Sequence, residues 1–273
     1  MEGTRGRPEI AIGLIDGPVV INHPGLSGER IREVPARLSG ACSQAGSSAC
    51  MHGTFVAGIL VGRRGSPAPA ICPGCTLLLR PIFPESSREV EIPSTTPNEV
   101  AVAITDCVDA GAHVINLSVA LTRGSGGDES ELDEALEHAT SREVIVVAAA
   151  GNRGIIGGSA ITRHPWVIPV AACNLRGEPL ANSNFGASIG RRGLLAPGHA
   201  VTSLEPKGKT VTFGGTSAAA PFVTGAVSLL WSEFPTATAA ELRYSLTSNA
   251  RRRKGIVPPL MDAWAAYAML RGG

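Results

Sequence analysis

Ile10-Ala-Ile-Gly-Leu-Ile15 is an unbroken apolar run that ends at Asp16-Gly17. Four similar runs follow it along the chain, at residues 76–81, 114–118, 144–149 and 166–170. Each run is continuously apolar rather than alternating with polar side chains, which is the pattern of strands buried on both faces of a parallel sheet. The runs therefore predict a sheet that is covered by helices on either side.

Helix signals separate these predicted strands. Thr96-Pro97-Asn98-Glu99 is a capping box with proline at the first helical position, and Gly111 follows the predicted end of that helix near residue 110. Further helices are predicted from Ser130, from a capping box at Thr238 and over residues 261–270. Strands that alternate with helices predict an α/β fold, a three-layer, doubly wound, mostly parallel sheet with helices on both faces.

Composition excludes several classes of function. Lys and Arg number 24 and Asp and Glu 23, so the net charge of +1 gives no reason to expect a nucleic-acid or acidic-membrane partner. No apolar run approaches the ~20 residues of a membrane span. The sequence shows no linker, repeat or signal peptide, so we expect one domain over residues 1–273, a flexible tail at residues 1–8 and a cytoplasmic location.

The cysteines do not predict a metal site. Cys72-Pro-Gly-Cys75 would need two more zinc ligands, and Cys42 and Cys50 are too far apart in sequence to complete a typical set. Disulfides Cys42–Cys50 and Cys72–Cys75 are possible from their spacing, although a cytoplasmic setting favours free thiols. We expect no metal and no cofactor.

Three segments carry residues of possible catalytic use. Asp16 ends the first predicted strand, His52 opens an apolar helix, and Ser217 follows Gly214-Gly215 at a helix start, with Pro221 in the first turn. Singly, each has an ordinary structural explanation: a turn residue, a structural histidine and a helix cap. A fourth segment places Asn152 directly after a predicted buried strand.

In order and spacing, these four segments resemble the subtilisin-like serine proteases, the subtilase family, over residues 10–235. The resemblance implies a catalytic triad in which Ser217 is the nucleophile, His52 the general base and Asp16 the group that orients the imidazole. It also implies that Asn152 and the Ser217 backbone N–H stabilise the oxyanion.

The same resemblance implies a substrate cleft. Ser118-Val119-Ala120 matches the edge that pairs with an extended substrate backbone, and Ala149-Ala150-Gly151 matches the opposite wall of the pocket for the residue before the scissile bond. The partner it implies is therefore a peptide or protein substrate bound as an extended strand. Since residues 62–70 contain no carboxylate or side-chain amide, we expect no calcium site where many secreted subtilases have one.

The string Asp16-Gly17-Pro18, followed by His23-Pro24, looks similar to the proteases of cyanobactin-type ribosomal peptide pathways. In that group one type cleaves the leader of a precursor peptide, and another cleaves and macrocyclises with the help of a helical cap inserted between the acid and the histidine. Here that interval is rich in Gly, Ser and Cys rather than helical, which favours simple hydrolysis.

The resulting hypothesis is a serine endopeptidase that works through an acyl-enzyme and takes part in maturation of a natural-product precursor by cleaving its leader. One alternative is a peptidyl transferase or macrocyclase that uses the same acyl-enzyme. Another is an inactive pseudo-protease that only binds peptide, which the presence of Asp16, His52, Asn152 and Ser217 disfavours.

Overall fold

A computed structural model describes residues 4–85, 94–121, 126–248 and 255–272. Its centre is a seven-stranded sheet in which every neighbouring pair of strands is parallel. In chain order these strands are β1 (Ala11–Asp16), β2 (Ile31–Glu33), β3 (Thr76–Pro81), β5 (Val114–Leu117), β7 (Ile145–Ala149), β8 (Ile168–Cys173) and β9 (Leu194–Pro197). In space they lie in the order β2-β3-β1-β5-β7-β8-β9.

Two small strand pairs accompany this sheet. β4 (Ser94–Thr95) pairs in parallel with β6 (Ala120–Leu121), and β10 (Val201–Leu204) forms an antiparallel hairpin with β11 (Thr210–Phe213). The helices are α1 (Ser48–Val61), α2 (Pro97–Asp109), α3 (Gly126–Ser141), α4 (Ala160–Arg163), α5 (Ala187–Arg192), α6 (Thr216–Glu233), α7 (Ala239–Ser248) and α8 (Ala263–Gly272).

The helices cover both faces of the sheet and bury two large apolar cores, and a third, smaller cluster surrounds Ile189 of α5. Leu14 and Val147 point into the core with residues of α1 and α6, whereas Ile15 and Val146 point into the core with residues of α2 and α3. Adjacent strand residues thus face opposite sides, as strand geometry requires. The predicted three-layer α/β fold with a mostly parallel sheet is confirmed.

Local signals place several elements correctly. At Thr96 both halves of the capping box form: the Thr96 hydroxyl accepts a hydrogen bond from the Glu99 N–H (3.2 Å), and the Glu99 carboxylate accepts one from the Thr96 N–H (3.1 Å). The same reciprocal pair forms between Thr238 and Glu241. The run at residues 76–81 coincides with β3.

Several boundaries differ from the prediction, including that of the last helix, which covers Ala263–Gly272 rather than residues 261–270. The Ser47 hydroxyl caps the Cys50 N–H, so α1 begins at Ser48 and His52 lies in its second turn rather than at its start. Because α6 begins at Thr216, Pro221 lies in the second turn rather than the first. Helix α3 begins at Gly126, four residues before Ser130. Strand β8 begins only at Ile168, because Trp166 lies in a turn, where its backbone N–H donates to the His164 ring.

The cysteines and the N-terminal segment also depart from expectation. Cys42 and Cys50 form a disulfide, whereas Cys72 and Cys75 are buried free thiols. The disulfide sulfurs lie near the Glu85 carboxylate, but they are not thiolates and so are not metal ligands. The Gly74 N–H donates to the Arg5 carbonyl (2.6 Å), so the described part of the expected tail is anchored.

No helix within the described ranges is both long and apolar enough to cross a membrane.

Candidate active site

The carboxylate of Asp16 and the imidazole of His52 are in direct contact. Asp16 is the last residue of β1 and its side chain is completely buried. The Asp16 Oδ1 atom accepts hydrogen bonds from the Gly17 N–H (2.6 Å) and from His52 Nδ1 (2.6 Å). Since an ionised carboxylate can only accept, Nδ1 carries the proton, and Nε2 is the ring nitrogen that can take one from a nucleophile.

The charge of Asp16 controls the protonation of His52. Burial alone would lower the pKa of the His52 imidazole, but the negative charge of Asp16 and its hydrogen bond together raise this pKa above the ordinary value of 6.5. The second oxygen of Asp16, Oδ2, is buried and has no hydrogen-bond donor among the described residues. Compensation of the buried charge therefore falls on His52 and the Gly17 N–H.

Two glycines set the distance between β1 and α1. A Cβ atom at Gly17 would overlap the carbonyl oxygen of Ala49, and a Cβ atom at Gly53 would overlap the carbonyl oxygen of Gly17. The end of the strand and the first turns of the helix therefore touch backbone to backbone. This close approach needs glycine at both positions, and it brings Asp16 and His52 within hydrogen-bonding distance.

Ser217 is the second residue of α6 and is partly exposed. The residue before the helix, Gly215, has φ of 101°, a conformation that a residue with a side chain rarely adopts. At this position the Ser217 backbone N–H is one of the helix N-terminal amides that have no partner within the helix. Among the described residues, the hydrogen bond of the His52 side chain is the one to Asp16, and none joins it to Ser217 Oγ.

The side chain of Asn152 is held by the residue next to Ser217. Its Oδ1 atom accepts hydrogen bonds from the Thr216 N–H (2.8 Å) and the Thr216 hydroxyl (3.1 Å). With the oxygen engaged in this way, the Nδ2 amine is left to donate. Thr216 was not among the predicted site residues, although its place directly before Ser217 is a signal that could have indicated it.

A buried polar chain connects α6 to β5. Pro221 has no N–H, so the Ser217 carbonyl lacks its usual helical donor; instead the Ser118 hydroxyl approaches it at 3.4 Å. Asn116 donates through Nδ2 to Ser118 Oγ (2.8 Å) and accepts through Oδ1 from the Thr224 hydroxyl (2.9 Å). Sequence reasoning missed Asn116 and Thr224, but an amide inside the apolar run at 114–118 is a usable signal, since buried polar groups need partners.

Four of the six predicted substrate-binding residues line one cavity of about 590 Å³. Val119 lies on one side of it, and Ala149, Ala150, Gly151 and Asn152 lie on another. Ser118 is buried beside Ser217, and Ala120 begins β6, where only its backbone pairing with Ser94 is described. At the cavity wall, Glu129 forms an ion pair with Arg163 (3.3 Å), which offsets the negative charge that Glu129 would present to a substrate.

Comparison with known proteins shows which family shares this arrangement. The model of the Subtilase family matches residues 7–262. Subtilisin DY of Bacillus licheniformis is 28% identical over 254 residues, which are 91% of this chain and 86% of that protein. The chain spans 60% of the length of several other curated subtilisins.

Solved structures of individual proteins are also similar to this chain. The protease domain of PatA superposes with a TM-score of 0.88 at 31% identity, covering 100% of this chain and 99% of that chain. The prenylagaramide maturation protease PagA gives a TM-score of 0.84 at 28% identity, covering 98% and 96%. The PatG macrocyclase domain gives 0.83 at 22% identity, covering 100% and 94%, and at that identity shows only a shared fold.

Proposed function

The chain belongs to the subtilase family of serine proteases, and on that premise we propose that it cleaves the leader from a ribosomally synthesised precursor peptide. The observation that carries this proposal is the 2.6 Å hydrogen bond between Asp16 and His52. The helices that carry His52 and Ser217, α1 and α6, pack into the same core, and Asn152 is bound to the residue before Ser217. PatA and PagA support the choice of substrate, since solved structures describe them as maturation proteases of patellamide and prenylagaramide.

The proposed reaction has two steps. His52 Nε2 takes the proton of the Ser217 hydroxyl as Oγ forms a bond to the scissile carbonyl carbon, and the Asp16 charge stabilises the resulting imidazolium. The imidazolium then gives its proton to the leaving amine as the peptide C–N bond breaks. A water molecule, deprotonated in turn by His52, attacks the acyl-enzyme and releases the acid product, which restores Ser217.

The Asn152 amide and the Ser217 backbone N–H would stabilise the negative charge on the substrate oxygen during both steps. Because Thr216 fixes the oxygen end of the amide, the amine end is pre-oriented, so no reorganisation is needed when the charge develops. The steps use only groups of this chain, the substrate and water.

Substitution of this amide provides a direct test. We expect Asn152→Leu to reduce kcat by roughly 10²–10³-fold with little change in KM, a magnitude that is known for the corresponding change in subtilisin and is carried over to this relative. Steady-state kinetics on a peptide substrate would measure it. The matched control is Asn182→Leu, at an exposed asparagine, which should retain wild-type kcat. An unchanged kcat in Asn152→Leu would contradict the oxyanion role.

The substrate would bind as an extended strand between Ser118–Ala120 and Ala149–Gly151. Small side chains at 148–150 leave the cavity wall open there, and the two-stranded sheet of β4 and β6, to which Ala120 belongs, offers backbone groups for pairing. We also propose a cytoplasmic location, where a ribosomal precursor is made; the Cys42–Cys50 disulfide would be unusual in that compartment.

The macrocyclase alternative predicts a different product. Incubation with a full-length precursor peptide, followed by mass spectrometry, should give two linear fragments whose masses together equal the substrate plus one water. Ser217→Ala protein is the control and should give neither fragment. A cyclic or joined product, lacking that added water, would show that an amine rather than water resolves the acyl-enzyme.

A further inference from the structure

A second cavity, of about 420 Å³, lies at the other end of β1 from the catalytic aspartate. It is formed by the N-terminal segment, by the residues that follow α1, and by the turn before β3. Pro8 lines it, three residues before β1 begins, whereas Asp16 ends that strand. Six residues of strand separate the two places by roughly 20 Å, so this cavity is not part of the peptide cleft.

Four arginines surround this cavity: Arg5, Arg30, Arg63 and Arg64. All four are exposed, and none of them forms an ion pair with any carboxylate of the described ranges. The residues that line the cavity include no Asp or Glu. Four like charges around one concave surface repel each other and attract anions, even though the net charge of the whole chain is only +1.

Two of these arginines are held in place by backbone carbonyls. Arg63 Nε donates to the Leu26 carbonyl (3.1 Å), and Arg64 Nη2 donates to the Thr4 carbonyl. Each guanidinium has five N–H donors, so several remain for a ligand after these contacts. Gly6, Gly65 and Gly74 form part of the wall, and the absence of side chains there lets a ligand approach the backbone.

Two buried free thiols, Cys72 and Cys75, flank the cavity-lining residues Pro73 and Gly74. The hydrogen bond from the Cys72 thiol lowers the pKa of the Cys75 thiol, and the charge of Arg30 acts in the same direction. Both sulfurs are completely buried, and Gly6 packs directly on Cys75. The pKa of the Cys72 thiol, in contrast, is raised well above its ordinary value, first by its hydrogen bond with Cys75 and then by burial. The positive charge around the cavity therefore comes from the four arginines that line it.

We propose that this cavity binds a small phosphate-bearing molecule through the guanidinium groups of Arg5, Arg30, Arg63 and Arg64. Guanidinium forks match the geometry of phosphate oxygens and bind them in pairs of parallel hydrogen bonds. A ligand bound there would join the N-terminal segment to the loop after α1, and binding to the folded state would raise the melting temperature of the protein.

The test uses inorganic pyrophosphate as the probe, titrated at constant ionic strength with chloride as the balancing anion. We expect saturable binding by calorimetry and a rise in Tm that saturates over the same concentration range. Arg30→Gln should weaken pyrophosphate binding at least ~10-fold, the value of one lost charge-assisted hydrogen bond. Arg30 makes no side-chain hydrogen bond in the described ranges, so this variant should fold normally.

Two further variants test whether binding depends on the guanidinium group and on its position. Arg30→Lys should restore part of the affinity, because it keeps the charge and loses the fork. Arg32→Gln, at an exposed arginine on β2 outside the cavity, should bind as wild type. Non-saturable effects, or equal binding by wild type and Arg30→Gln, would overturn the site. A glutamate-rich peptide that displaces pyrophosphate and binds more tightly would overturn the assignment to a small phosphate ligand.

Discussion

Ser217→Ala is expected to reduce peptide hydrolysis by about 10⁶-fold, the loss that subtilisin shows for its own serine, here carried over to a relative. The hydroxyl is the atom that would form the acyl-enzyme, so no other group of the site can substitute for it. The backbone N–H at position 217 is unchanged in the variant, and alanine is a good helix former, so α6 should be preserved.

The measurement should separate loss of chemistry from loss of fold. A fluorophosphonate probe should label the wild-type protein and fail to label Ser217→Ala, while circular dichroism of the two remains the same. Ser248→Ala, at a partly exposed serine that ends α7, is the matched control and should label fully. If the correctly folded wild-type protein does not react with the probe, the chain is a peptide-binding pseudo-protease rather than an enzyme.

Asp16→Asn is expected to reduce kcat/KM by roughly 10⁴-fold, the scale known for loss of the triad acid in other serine proteases. The neutral amide cannot stabilise the imidazolium, and its amine end can force the wrong tautomer on His52. Since Asp16 is completely buried against His52 and Gly17, no water can take over its role readily.

The pH profile gives this variant a second and independent signature. The unprotonated imidazole is the base, so wild-type activity rises as pH increases through the raised pKa of His52, which places the acid limb above pH 6.5. Asp16→Asn removes both causes that raise the pKa and leaves the burial that lowers it. The acid limb of the kcat/KM profile should therefore move to lower pH, even though the value of kcat/KM itself falls.

The control for this shift is Asp109→Asn, at an exposed aspartate that pairs with His138. That variant should keep both the rate and the position of the acid limb. An acid limb that stays in place in Asp16→Asn would show that the aspartate charge does not set the pKa of His52.

Much of the architecture could be predicted because its signals are local. The run at 76–81 has three consecutive leucines at its centre, and the capping boxes at Thr96 and Thr238 contain their own hydrogen-bond partners within four residues. The start of α1 was harder, because Ser47 and Ser48 are equally good caps and the apolar pattern only becomes clear after His52. The boundary depends on which of the two serine hydroxyls the preceding loop orients toward the first free N–H groups of the helix.

The parts that could not be predicted depend on residues far apart in sequence. Arg5, Arg30 and Arg64 come together only because the N-terminal segment crosses the loop that follows α1. Asn116 is visible as a polar residue in a buried strand, but its partner Thr224 lies 108 positions away. The sequence left the Cys42–Cys50 disulfide open, because the spacing allows it and a cytoplasmic setting favours free thiols, whereas the fold brings the two Cα atoms within 5.6 Å.

The backbone contact between Gly17 and α1 restricts how this site can change by mutation. Any side chain gained at Gly17 or Gly53 would push the helix outward and carry His52 away from Asp16, so neither glycine tolerates replacement. A single substitution at either glycine should therefore separate Asp16 from His52. In a combinatorial library, diversity is therefore better placed in the cavity wall, where Val119 and Ile155 can change without moving either catalytic dipeptide.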